Sequence, residues 1–261
     1  MSKISLLRMA SLLVILLGIA GCSGLRQEVR PSYRPCTSRG VIFVADGAGG
    51  FQNASTTFQR LAADEGLALA VEPVEWSHGY GRVLADQLDV SNIRESGKEL
   101  ACQVLRLRQS APEADIYLVG HSAGTAVVLA AASGLPPGTV TRTLLISPAV
   151  SADYDLRPAL ASNREGIDVF YSSKDIGFLG LGVAVTGTTD RHWSAAAGRV
   201  GFRPQLESSA DGSLFAKLRQ HPWHPSVGWT GNHGGHYGGY EPKFLRAYVL
   251  PLLQPGNVEP K

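Results

Sequence analysis

Gly120-His121-Ser122-Ala123-Gly124 sits between an apolar run, Ile116-Tyr117-Leu118-Val119, and a helix-like stretch from Thr125 to Ala132. The order reads as a strand, a sharp turn and a helix. So abrupt a turn forces one residue into strained backbone geometry. Flanking glycines permit it, and the central side chain is projected out at the carboxyl end of a sheet. The side chain so displayed is Ser122, the candidate nucleophile. G-x-S-x-G is a short pattern in a chain with 30 glycines among 261 residues, so its surroundings must carry the claim.

Those surroundings read as alternating strands and helices. Val41-Ile42-Phe43-Val44-Ala45 suits a buried parallel strand ending in the turn Asp46-Gly47-Ala48-Gly49-Gly50. Asn53 to Glu65 has helical spacing, and Leu67 to Trp76 reads as a strand leading to the loop Ser77 to Gly81, a candidate wall of the site. Ser91 to Ser110 fits an amphipathic helix with Ile93, Leu100, Val104 and Leu107 inward. Its basic face, Arg94, Lys98, Arg106 and Arg108, reads as solvated surface. Val140 to Ile146 and Ile167 to Tyr171 read as further strands, the second ending in Ser172-Ser173-Lys174-Asp175. The glycine-rich stretch 176–203 reads as a lid or an ordinary surface insertion. Pro204 to His224 completes the core, and Pro242 to Leu253 closes the chain as a helix. The pattern predicts an α/β fold with a mostly parallel central sheet flanked by helices, whose site lies at the strands' carboxyl ends.

A chain of 261 residues with 44% hydrophobic composition can bury one substantial core, and a single domain over 39–255 is expected. A net charge of +2 with 18% charged residues provides no basic field for nucleic acid, so no nucleic-acid partner is expected. Gly47-Ala48-Gly49 would need Gly or Ala at position 52 to be a dinucleotide fingerprint, and Gln52 stands there. Two H-x-x-H pairs, His221/His224 and His233/His236, lie in proline- or glycine-rich loops with no adjoining cysteine, unlike a zinc site. Neither a cofactor nor a metal is expected.

At the N-terminus Lys3 and Arg8 precede Leu12-Leu13-Val14-Ile15-Leu16-Leu17, the pattern of a secretory signal over residues 1–21. Ile19-Ala20-Gly21-Cys22 resembles the lipobox of bacterial lipoproteins. That resemblance implies that Cys22 becomes a lipidated, palmitate-bearing N-terminus, with 22–38 as tether. Ser23, where an inner-membrane retention signal places Asp, implies the outer membrane facing the periplasm. The alternative is an ordinary signal peptide with an incidental cysteine. In an oxidising envelope Cys36 and Cys102 can pair if their Cα atoms come within about 7 Å. Otherwise Cys102 is a small buried hydrophobe.

From Gly40 to the closing helix the chain resembles the α/β-hydrolase superfamily, in which serine, acid and histidine follow in that order. The resemblance implies Ser122 as nucleophile, Asp175 as acid and His236 as base. Gly235-His236 followed by Pro242 and a helix resembles the family's loop before the last helix; His233 is the alternative base and Asp153 the alternative acid. The oxyanion hole would use the N–H groups of Ala123 and Ala48, with Gly49 an alternative to Ala48. Asp46 stands where such loops carry histidine. His121 reads as orienting the turn or lining the pocket. The implied activity is a cell-envelope serine hydrolase acting on small-molecule or lipid esters. The rival readings are a non-catalytic envelope scaffold on the same fold and an acyltransferase.

Overall fold

The apolar runs around Ser122 become the middle of a six-stranded sheet. The computed structural model describes residues 39–254; the leader, Cys22, the tether and Cys36 lie outside them, as does the Cys36–Cys102 pairing. The first half comprises β1 (Gly40–Ala45), α1 (Asn53–Asp64), β2 (Leu69–Pro73), α2 (Val83–Leu88), α3 (Val90–Ser110), β3 (Asp115–His121) and α4 (Gly124–Ser133). The second half begins with β4 (Arg142–Ile146), α5 (Arg157–Ser162) and β5 (Ile167–Tyr171). A π-helical turn (Gly177–Gly182) then runs into α6 (Val183–Thr186), followed by α7 (Ala197–Val200), α8 (Ser209–Phe215) and β6 (Leu218–Pro222). The closing helix starts as α9 (Pro242–Phe244) and continues through a π-helical turn (Leu245–Val249) and a 3-10 turn (Leu250–Leu253).

All six strands are parallel, in the order β2-β1-β3-β4-β5-β6. Successive side chains of a strand point to opposite faces, so each apolar run feeds two layers. On one face Val41, Phe43, Ile116 and Leu118 pack with Ile93, Leu100 and Val104 of α3 and with α4. On the other, Ile42, Val44, Tyr117 and Val119 pack with Phe58 and Leu61 of α1 and with Phe244, Leu245, Val249 and Leu252 of the closing helix. Burial on both faces is why these strands read as continuous apolar runs instead of alternating ones.

Several expectations are corrected. α2 and α5 occupy stretches that gave no helical signal, and the polar Leu218–Pro222 is a full parallel strand. Cys102 is exposed on α3, not a buried hydrophobe. Arg108 leaves the basic face of α3 to donate to the carbonyls of Pro112, Ala114 and Thr139, closing the loop before β3. The stretch 176–203 is more ordered than its glycines suggest, with a helical first part and α7 pinned where Gly198 abuts Ser147 and Pro148.

Candidate active site

β3 ends where β1 ends, with Ala45 in register with Gly120, and the chain turns at once into α4. Ser122 takes a φ of 52°, left-handed for a residue with a side chain, at a cost of about 1–2 kcal/mol. Four hydrogen bonds fix the turn: Ser122 N–H donates to Ile146 O at 3.0 Å, and Ser122 O accepts from Thr125 N–H, Thr125 Oγ1–H and Ala149 N–H. Gly124 is required by close approach. A Cβ there would stand 2.3 Å from the carbonyl oxygens of Ala45 and Asp46. Gly124→Ala is therefore expected to destabilise the protein by about 1–3 kcal/mol in urea unfolding, as overpacking does; an unchanged midpoint would show that the β1 end yields.

His236 reaches Ser122 from the loop between β6 and α9. Its Nε2 lies 2.9 Å from Ser122 Oγ and its Nδ1 lies 2.5 Å from Asp175 Oδ2. Asp175 follows β5 and its Oδ1 accepts from Leu179 N–H at 3.3 Å, which aims the other oxygen at the imidazole. Both His236 and Asp175 are buried, and the Phe178 ring stacks on His236 at 4.7 Å. Trp223 donates from Nε1 to Asn232 O, and Asn232 Oδ1 accepts from Gly234 N–H, so the loop is framed from β6. Gly234 has a φ of 85°, and a Cβ there would press on Ser172 and Trp223.

The alternatives fall elsewhere. His233 and Asp153 are exposed, and among the described residues the hydrogen bonds of the His236 ring go to Ser122 and Asp175 instead. Gly49 N–H donates to Asp86 Oδ2 at 2.7 Å, which commits it away from an oxyanion. Ala48 lines the cavity beside Ser122, and Ala123 N–H stands at the first turn of α4, where backbone donors have no intrahelical partner. Of the other histidines in the H-x-x-H pairs, His221 donates to Asp168 at 2.8 Å and His224 Nδ1 accepts from Ser226 N–H.

Asp46 has a role that the sequence did not disclose. Its Oδ1 accepts from Ala54 N–H at 2.7 Å and Ser55 N–H at 3.2 Å, capping α1, while its carbonyl accepts from Trp76 Nε1 at 2.9 Å. Burial pushes its carboxyl up against the effect of those donors. The loop after β1 is thus held by an aspartate through the helix behind it. The loop Ser77 to Gly81 does not line the cavity. It grips Asp86 of α2 from behind.

His121 fastens the histidine loop to the turn. Its Nε2–H donates to His236 O at 3.1 Å, and burial, with the His236 charge second, holds its pKa down at about 3. Because the folded value lies below the unfolded value near 6.5, the unfolded chain binds the proton more readily between those limits. Stability therefore falls as pH drops from about 6.5 toward 3. At about pH 4.5 this amounts to about 3 kcal/mol. His121→Gln keeps a donor without a titration, so its unfolding free energy is expected to fall by about 2 kcal/mol less than that of the parent between pH 6.5 and 4.5; parallel losses would refute this.

A cavity of about 390 Å³ opens over Ser122, bounded by Phe51, Val83 and Leu84 on one side and Phe178, Leu179 and Val183 on the other. The sheet, the turn and the matched family now coincide: residues 35–208 match the model of an alpha/beta hydrolase family of unknown function, DUF900. The chain belongs to this α/β-hydrolase family. The DUF900 match spans Ser122 and Asp175 and stops before His236. No curated protein matches the chain. Among solved structures, the chain is similar to esterase PE8 (13% identity, 77% of this chain and 86% of the other, TM-score 0.44). It is also similar to the catalytic core domain of acetyl xylan esterase from Trichoderma reesei (14%, 80% and 98%, 0.42). A third is a Pyrococcus furiosus esterase (10%, 80% and 83%, 0.40). The activity in each name belongs to that protein.

Proposed function

We propose that this α/β hydrolase cleaves carboxylic esters with Ser122 as nucleophile, His236 as base and Asp175 as the group that orients the base. The observation that carries the reading is the continuous relay Ser122 Oγ, His236 Nε2, His236 Nδ1, Asp175 Oδ2, at 2.9 and 2.5 Å. Asp175 accepts from Nδ1–H, which leaves Nε2 free to take the serine proton as Oγ attacks the carbonyl carbon. The oxyanion of the tetrahedral intermediate accepts hydrogen bonds from Ala123 N–H and Ala48 N–H. Its collapse expels the alcohol, protonated from Nε2–H, and water then releases the acyl group by the same steps in reverse.

A fluorophosphonate probe tests this directly. The purified protein is expected to be labelled on Ser122, and Ser122→Ala to lose both labelling and esterase turnover, the latter by about 10⁴-fold or more. An unlabelled, folded protein would overturn the reading. We also propose the envelope location implied by Ile19-Ala20-Gly21-Cys22; the protein is expected to incorporate labelled palmitate in cells and Cys22→Ala to incorporate none, and equal incorporation in the two would refute it.

A further inference from the structure

The cavity over Ser122 has a chemistry that narrows the substrate. α2 offers Val83 and Leu84 beside Phe51, and the segment after β5 faces them with Phe178, Leu179 and Val183. Phe51, Val83, Leu84 and Phe178 are 41–52% exposed, a contiguous apolar rim of the kind that marks a ligand groove. Gln87 of α2 donates to Gly187 O at 3.4 Å and ties the two walls. None of the lining residues is Lys, Arg or Glu, and the Asp46 carboxylate is turned to the N–H groups of α1. A charged substituent here would lose water without meeting a counter-charge, whereas each methylene would leave water for an apolar wall. The acyl group is the part that stays bonded to Ser122 after the alcohol departs, so a cavity floored by that serine suits the acyl chain.

We propose that this cavity seats an uncharged, apolar acyl chain of an ester. The proposal rests on the reading of Ser122 as the nucleophile. With p-nitrophenyl acetate, butyrate, hexanoate and octanoate, kcat/KM is expected to rise up to about fourfold per added methylene, the fold-change of ~0.8 kcal/mol. The hemisuccinate ester, similar in length to the butyrate to hexanoate range but anionic, is expected to fall at least about tenfold below those esters. Leu84→Asp, at a half-exposed position, is expected to flatten the series. A flat or falling series, or a preference for the hemisuccinate, in protein whose Ser122 takes the fluorophosphonate overturns the acyl pocket alone. Failure of labelling overturns the nucleophile reading beneath it.

Asp86 is a fully buried carboxylate that no step of the proposed chemistry uses. Its Oδ2 accepts from Gly49 N–H at 2.7 Å and Ser77 Oγ–H at 2.6 Å; its Oδ1 accepts from His78 N–H at 2.7 Å and pairs with His78 Nδ1 at 2.9 Å. One side chain thereby joins α2, the Ser77–His78 loop and the turn after β1. Gly49 is the residue next to Ala48, and Asp86 pins the Ala48–Gly49 peptide through the Gly49 N–H. We infer that Asp86 is a positioning residue that holds the Ala48 N–H toward the oxyanion. Asp86→Asn leaves one accepting oxygen where there were two, so it must break the bond from Gly49 N–H or the bond from His78 N–H, and either loss loosens the bridge between α2 and the turn after β1.

An oxyanion donor acts on the transition state and not on bound substrate. In Asp86→Asn, kcat for p-nitrophenyl hexanoate is expected to fall about 10- to 100-fold with KM within about twofold. Thermal unfolding is expected to stay well above the assay temperature. Wild-type kcat in protein labelled on Ser122, or a loss carried wholly by KM, overturns the inference. If Asp86→Asn unfolds at the assay temperature, Ser77→Ala removes one donor from the same carboxylate. A several-fold fall in kcat at constant KM is then expected, and an unchanged kcat overturns the inference.

Discussion

Asp175→Asn is expected to lower kcat about 10⁴-fold while leaving the fold intact. Asp175 Oδ2 accepts the Nδ1 proton of His236 at 2.5 Å, and Oδ1 is held by Leu179 N–H. The amide has nearly the shape of the carboxylate. With its NH₂ turned to His236, however, Nδ1 must become the acceptor and Nε2 must carry the proton. Nε2–H then points at Ser122 Oγ as a donor, and the serine proton has no acceptor. The loss should therefore appear in turnover and in the rate of fluorophosphonate labelling, with a melting temperature within a few degrees of the parent. Asp153→Asn, at the exposed alternative acid, is expected to leave both rates unchanged. A fall of less than tenfold in Asp175→Asn, or equal losses in the two variants, would remove Asp175 from the proposed chemistry.

What the sequence disclosed and what it hid follow from where the determinants lie. β1 and β3 were legible because a parallel strand covered on both faces reads as a near-continuous apolar run. Ser122 was legible because the turn needs small residues within two positions on either side, a purely local demand met by Gly120 and Gly124. Asp46 was legible only as a departure, because its function is completed by the N–H groups of Ala54 and Ser55, across the intervening glycine turn. Asp86 gave no signal, since its partner Gly49 lies 37 residues away and its helix has only 6 residues, too short to show a period. His236 was preferred to His233 on the loop that precedes the last helix. The structure brings His236 to Ser122, and what aims it, the bond from His121 to its carbonyl, spans 115 residues.

The strand most thoroughly hidden is β6, and its polarity is what attaches it. Asp168 on β5 pairs in register with Arg219 on β6, and Arg142 two residues before its β4 partner Leu144 shares that face. Asp168 is fully buried; Arg142 donates to it at 2.7 Å, Arg219 through two bonds at 2.9 and 2.7 Å, and His221 at 2.8 Å. Burial pushes the Asp168 carboxyl up, yet the bonds from His221, Arg219 and Arg142 outweigh it and hold the value at about 2. The folded value lies below the unfolded one, so this stabilisation is present above about pH 4 and is lost as pH falls toward 2, about 2 kcal/mol in all. Removing the carboxylate does more than removing its charge, because it strands cations that folding has taken from water. Arg142 keeps Glu165 at 2.7 Å, which moderates the penalty. Asp168→Ala is therefore expected to destabilise the protein by about 3 kcal/mol, the lower end for a broken buried pair. Because β6 runs directly into Trp223, which frames the His236 loop, turnover in Asp168→Ala is also expected to fall off at lower temperature than in the parent. Urea unfolding and the temperature profile of activity measure the two effects. A loss under about 1 kcal/mol would mean that β6 is held by its backbone ladder alone.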